Sequence, residues 1–275
     1  MSGQTSDVAV QGAERPLSSQ VAIVTGAAKG LGRAVTELLA EQGANLTLVG
    51  RDREALEAHA ARLDATNGGR QSMAMPCNVL DERAVLDMVE ATVAGFGQVD
   101  ILVNTAGGTG PIETPCYEYP LEGFREVLEL NVLGTFLPCK AIIPHLIRRG
   151  SGRIVNIAGT SGIRGYKHRV GYSSSKWAVR GLTKTLALEL GPHGVTVNAV
   201  VPHVTNGDRM ERIVHEKARK LGRTPEEVYA DFAAQTALGR FVDEVDVAAA
   251  VGFLVSEGAR NITGQDIIVD AGWSV

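Results

Sequence analysis

The chain has 275 residues, 44% hydrophobic and 21% charged, so it can bury a sizeable core in one large domain or two small ones. A net charge of −4 excludes the strong basic field that holds nucleic acid, and neither a polybasic run nor a stretch of about 18 apolar residues points to a membrane. Three widely spaced cysteines, Cys77, Cys116 and Cys139, show neither metal-ligand nor disulfide-framework spacing, which points to ordinary thiols, no metal and a cytoplasmic setting.

Residues 1–19 lack an apolar signal core and read as a flexible leader. A buried strand follows at 21–24, then a glycine-rich turn opening a helix that runs to about residue 41. Strand 45–49, helix 53–65 and strand 73–76 come next, the last weakened by Pro76. Helix 81–95, strand 100–103, a long helix after Leu121 and strand 153–157 continue the alternation. Helix 172–191 and strands at 195–198 and 266–269 complete it. The strands are continuous apolar runs joined by connections too long for hairpins. Such a pattern predicts an α/β fold: a single-domain, Rossmann-type doubly wound parallel sheet of about seven strands, spanning 20–275, with helices on both faces. The polar, charge-rich stretch 205–239 breaks the rhythm. It reads as a helical excursion on the ligand-binding side of the sheet, placed to act as a lid.

The first strand runs straight into Thr25-Gly26-Ala27-Ala28-Lys29-Gly30-Leu31-Gly32. Glycines there let the backbone turn tightly and approach a pyrophosphate, which the next helix receives with unpaired N–H groups and its positive dipole end. Tyr172 and Lys176 lie four residues apart on a predicted helix and so share a face. A nearby ammonium favours the phenolate of a tyrosine, which can then pass a proton to and from a substrate oxygen.

These features resemble the short-chain dehydrogenase/reductase family. The resemblance rests on Gly-x-x-x-Gly-x-Gly after a threonine, Asn104-Thr105-Ala106-Gly107, Asn131, Tyr172-Ser173-Ser174-Ser175-Lys176 and Pro202, in that order from about residue 20 to the C-terminus. It implies an NAD(P)-dependent oxidoreductase interconverting a carbonyl and a secondary alcohol. Tyr172 would be the general acid/base, Lys176 would bind the nicotinamide ribose, and Asn131 would sit in a local helix distortion that holds a relay water. The implied dinucleotide contacts are Gly26, Lys29, Gly30, Leu31, Gly32, Arg51, Asn78, Val79, Asn104, Ala106 and Gly107, with Tyr172, Lys176, Pro202, Val204 and Thr205 towards the nicotinamide. The family also implies a homo-oligomer, tetramer or dimer.

At the end of the second predicted strand Gly50 and Arg51 stand where an NAD-preferring site carries a carboxylate. With Lys29 they suit a 2′-phosphate, so NADP(H) is expected ahead of NAD(H), although Asp52 is close enough to turn towards a ribose. Three positions depart from the family pattern. Gly159 replaces the serine that polarises the substrate oxygen, Thr105 replaces an asparagine, and His203 replaces a glycine. On strand alternation Ser161 is the preferred substitute for the missing hydroxyl, with Thr160 the neighbour. His203 either supplies that hydrogen bond or points to solvent. The same departures leave open a dinucleotide-binding protein with lost or non-redox activity. Arg164, Lys167, His168 and Arg169 make the approach to the predicted catalytic helix cationic, a feature suited to an anionic small-molecule substrate, to solvation or to subunit contacts.

Overall fold

Strands covered by helices on both faces must be apolar on both faces. The computed structural model, which describes residues 15–66 and 71–275, joins the runs marked in the sequence into one parallel sheet. Its strands are β1 (Val21–Thr25), β2 (Asn45–Gly50), β3 (Ser72–Pro76), β4 (Ile101–Asn104), β5 (Gly152–Ile157), β6 (Val195–Pro202) and β7 (Asp266–Val269). They lie in the order β3-β2-β1-β4-β5-β6-β7. The expected seven-stranded, doubly wound, Rossmann-type fold is what the chain adopts. Pro76 is accommodated because β3 is an edge strand and the proline is its last residue.

Alternate residues of each strand serve opposite layers. Ala22, Val24, Ile101 and Val103 join the core beneath α1 (Gly30–Glu41), α2 (Arg53–Thr66) and α9 (Glu244–Val255). Ile23 and Leu102 join the core beneath α3 (Glu82–Phe96), α5 (Gly134–Arg149) and α6 (Val170–Leu190). The long helix expected after Leu121 is instead two helices, α4 (Leu121–Leu128) and α5, joined by a π-helical turn at Glu129–Leu133. The stretch Leu121–Arg149 is long and apolar enough to cross a membrane by composition, but α5 lays Cys139, Ile142 and Leu146 into the core.

Strand β6 reaches Pro202, beyond the expected end at Asn198. Asn198 sits within the strand with both ends of its side-chain amide paired, donating to Ile262 O at 2.7 Å and accepting from Gln265 N at 3.0 Å. After β6 the excursion forms α7 (Asp208–Leu221) and α8 (Pro225–Ala234), which pack Met210, Val214, Val228 and Phe232 against each other. Most of the expected leader, residues 1–14, lies outside the described residues. Its last part is anchored to the domain: Leu17 is buried in the core and its N–H donates to Gln42 O at 2.9 Å.

Candidate active site

Strand order reverses between β1 and β4, where the two following loops diverge and open a crevice at the carboxyl ends of the strands. Thr25, the last residue of β1, ties the two loops together. Its hydroxyl accepts from the N–H groups of Thr105 and Ala106, both at 3.2 Å, while the Thr105 hydroxyl donates to Thr25 O. A Cβ on Gly32 would overlap Gly26 O, and one on Gly26, where φ is +70°, would lie 3.0 Å from Ala106 N. Only glycine fits at either place. The N-terminus of α1 carries no capping side chain and no acidic residue in its first turn, so its N–H groups face the crevice free to receive an anion.

A cleft of about 1060 Å³ opens there. The glycine-loop residues Gly26, Lys29, Gly30, Leu31 and Gly32 line it, as do Arg51, Asn78 and Val79 on one side and Ala106 and Gly107 on the other. Gly159, Ser161, Tyr172, Lys176, Pro202, His203, Val204 and Thr205 line it too. Asn104 does not. Its side chain turns under the sheet, donating to Asn156 Oδ1 at 2.9 Å and to Cys139 Sγ at 3.3 Å, because residue 104 shares the face of Leu102 rather than that of the crevice. The neighbour Thr105 lines the cleft in its place. Arg51, Lys29 and Asp52 are all exposed and all line the cleft; one oxygen of Asp52, Oδ1, also accepts from Ala55 N at 3.1 Å and so caps the start of α2.

Tyr172 and Lys176 share one face of α6, the ammonium 5.6 Å from the centre of the phenol ring. Lys176 is buried, its Nζ donating to Ile157 O at 2.9 Å; burial, then the charge of Arg209, push its pKa down to about 7. Asn131 lies in the π-helical turn, the distortion expected at that position. It is buried beside the cleft and not in it. Its side chain accepts from Gly108 N at 2.7 Å and donates to Gly108 O at 3.0 Å and to Ser175 Oγ at 2.8 Å. One amide thus joins the loop after β4 to α6, one residue before Lys176. The Thr135 hydroxyl donates to Asn131 O at 2.8 Å, giving a partner to a carbonyl in the widened turn.

At Gly159 the space for a side chain is present, since a Cβ there would sit 3.5 Å from Tyr172 Oη, ordinary contact, but the backbone φ of +156° is one that side chains rarely adopt. Strand alternation does not carry past Ile157, because Thr160–Gly162 close a 3₁₀ turn. Ser161 still lines the cleft, but it is the Thr160 hydroxyl that meets His203 Nδ1, at 2.8 Å. His203 is not turned to solvent. It stacks on Trp273 with ring centres 4.3 Å apart, and its Nε2 is buried without a partner. Burial, opposed by Asp270, holds its pKa down to about 4, so the imidazole is neutral near pH 7. Trp273 escapes a reading of the sequence because only the fold brings it against His203. Glu244, the first residue of α9, escapes for the same reason; its carboxylate lies 3.3 Å from where a Gly30 Cβ would be.

A family model described as enoyl-(acyl carrier protein) reductase matches residues 26–274. The chain is 35% identical over 259 residues to D-threitol dehydrogenase of Mycolicibacterium smegmatis, covering 94% of each chain. It superposes on a crystal structure of NAD+-bound xylitol dehydrogenase with a TM-score of 0.89 and 33% identity, covering 93% of this chain and 99% of the other. It also superposes on actinorhodin polyketide ketoreductase with NADPH, with a TM-score of 0.86 and 33% identity, covering 92% and 97%.

The lysine sets a pH test. Between about pH 7 and the ordinary lysine value of 10.5, an unfolded chain keeps a proton that the folded one has released, so stability rises with pH in that window. In urea melts without dinucleotide, the stability of wild type relative to Lys176→Met is expected to climb from pH 7 to pH 9, with a limiting slope of about 1.4 kcal/mol per pH unit. Parallel pH profiles for the two proteins would show that the buried amine keeps its proton.

Proposed function

The chain belongs to the short-chain dehydrogenase/reductase family, nicotinamide-dependent enzymes that interconvert carbonyls and alcohols, and from that premise we propose that it works with NADP(H), with Tyr172 as its proton donor and acceptor. The observation that carries this reading is one cleft lined at one end by Lys29 and Arg51, in the middle by the glycine turn, and at the other by Tyr172 and Lys176.

Gly26, Gly30, Leu31, Gly32 and the start of α1 would hold the pyrophosphate; Asn78, Val79, Ala106 and Gly107 would flank the adenosine half, and Pro202, Val204 and Thr205 the nicotinamide amide. Arg51 and Lys29 would grip a 2′-phosphate, Arg51 with a planar fork suited to it. The bound dinucleotide supplies or takes up the hydride. Tyr172 gives its proton to the nascent alkoxide in reduction and recovers it from the alcohol in oxidation. Lys176, beside the ring, favours the phenolate when protonated, and binds the ribose. Asn131 is a positioning residue that holds α6 against the loop after β4. Gly159 leaves the substrate oxygen without the usual hydroxyl donor.

Exposed apolar side chains on α4 to α6, among them Leu121, Phe136, Trp177 and Leu188, and a second pair, Phe253 and Ile268, on α9 and β7, support two subunit interfaces and hence a homotetramer, or a dimer if one face is used. We read 20–275 as one catalytic domain with 205–239 as its lid. The free thiols Cys77, Cys116 and Cys139 support a cytoplasmic location.

Tyr172→Phe is expected to lower turnover about 10²- to 10⁴-fold in NADPH-absorbance assays on a ketone panel while NADPH binding persists. An unchanged velocity refutes the mechanism. Arg51→Ala is expected to raise the KM for NADPH about tenfold or more and to leave that for NADH within about twofold. Equal effects on both would remove the case for NADP(H). Gly159→Ser is expected to raise kcat on a small neutral ketone about tenfold or more, because it adds a donor beside the Tyr172 hydroxyl. A fall with unchanged thermal stability would mean that the glycine makes room for substrate, and a fall together with a lowered Tm would mean that its φ of +156° does not tolerate a side chain.

A further inference from the structure

A guanidinium excluded from water needs acceptors for its N–H groups, and its burial without them is costly. Arg169 is such a group. It lies just before α6, three residues ahead of Tyr172, and lines the same cleft. Only 6% of its surface is exposed, Nη1 is buried without an acceptor, and among the described residues no carboxylate forms an ion pair with it. Its Cζ stands 4.8 Å from the centre of the Tyr172 ring. A ring face offers the guanidinium no oxygen acceptor, and its N–H donors are the groups that bind carboxylates.

Arg212 also lines the cleft but is exposed, so water serves its donors, whereas other cations near Arg169 already have partners. Lys217 pairs with Glu113 at 2.9 Å, and His168 approaches the same carboxylate at 3.6 Å. Arg209 donates to Gly107 O at 2.9 Å, and the Arg164 guanidinium lies 3.7 Å over the Trp273 ring. Resting on the reading of Tyr172 as proton donor, we propose that Arg169 binds the substrate's own anion, and that the substrate is a small oxo acid, or its hydroxy acid, with the carboxylate a few bonds from the reacting carbon. The short separation follows from geometry, since the guanidinium and the reacting hydroxyl flank one phenol ring. A carboxylate matches the planar fork and its single charge.

The test compares a short 3-oxo acid, its methyl ester and a ketone phosphate of similar length as substrates with NADPH. Wild type is expected to favour the acid over the ester by about 10- to 100-fold in kcat/KM, the range a charge-assisted bond supplies. Arg169→Gln is expected to bring that ratio to within about threefold of unity, and Arg169→Lys to recover part of it, because an ammonium keeps the charge but loses the fork. A purely structural role would slow both substrates alike and leave the ratio standing, which overturns the proposal; so does a wild-type ratio near one. A phosphate preferred to the carboxylate, and lost with Arg169→Gln, overturns the carboxylate assignment. Should Arg169→Gln fail to fold, inhibition of the wild-type holoenzyme by a saturated carboxylate and by its amide decides: equal inhibition overturns the proposal, and selective inhibition by the acid supports it. A neutral vicinal diketone reduced by wild type but not by Tyr172→Phe keeps the oxidoreductase reading intact whichever way the acid behaves. If no ketone at all is reduced, that reading fails, and the carboxylate–amide comparison still reports on Arg169.

Discussion

The mouth of the sheet is organised around two positions where no side chain fits. A methyl group on Gly32 would run into Gly26 O, and one on Gly26 would run into the backbone of the loop after β4. This closeness lets the Thr25 hydroxyl reach the N–H groups of Thr105 and Ala106 and fixes the angle at which α1 leaves β1. The open helix N-terminus therefore points at the switch point of the sheet, where the long connections of a parallel fold leave a crevice. Move either glycine and the anion site, the loop after β4 and the packing of α1 shift together, because all three share that one contact.

The chemical end depends on a different constraint, the pairing of buried polar groups that hold α6 in place. Lys176 is out of water and held at Ile157 O, while Asn131 satisfies both main-chain groups of Gly108 and the Ser175 hydroxyl. An unpartnered group in such a place costs about 1–3 kcal/mol, so the network fixes α6 firmly against β5 and the loop after β4. Gly159 removes one donor from this end. Such a loss is commonly worth about 10²-fold in rate, appreciable but far smaller than a whole enzymatic rate enhancement. The phenol, the amine and the bracing amide are all kept, which is the pattern of a working site with one donor fewer.

Much of this was legible in the sequence because its causes are local. Apolar runs marked the strands, the glycine turn marked the start of α1, and the spacing of Tyr172 and Lys176 placed both on one face. What failed had local causes in some places and non-local ones in others. Asn104 was readable: Leu102 faces the α5 layer, so residue 104 must as well, and parity takes its side chain away from the cleft. Ser161 lines the cleft as expected, but parity was not the reason, because the strand had already ended and a 3₁₀ turn reset the directions. The end of β6 was set too early at Asn198, although the apolar run 199–201 continues the strand; the partners that hold the Asn198 side chain, Ile262 and Gln265, lie more than sixty residues away. His203 stacks on Trp273 for a similar reason, since no short window of sequence contains both rings.

Net charge is the property that says least about this cleft. The whole chain carries −4, yet Lys29, Arg51, Arg169, Lys176 and Arg209 all belong to or border a cleft meant for a polyanion. Salt screens exposed charges beyond about 8 Å at physiological ionic strength, so acidic residues scattered over the far surface have little say there. Carboxylates line the cleft as well, Asp52, Glu113, Glu126, Glu129, Asp208 and Glu244 among them; at Glu244, beside the glycine turn, burial and then the nearby Asp208 raise the pKa, which eases its protonation as a further anion arrives. Two ends of the same cleft thus attract negative charge by different means. At the dinucleotide end exposed cations and a helix terminus draw a ligand out of water. At the substrate end a dry guanidinium acts where the local dielectric is low and each charge counts for more. Selectivity for a charged substrate is therefore set beside Tyr172, while the exposed end sets affinity for a dinucleotide.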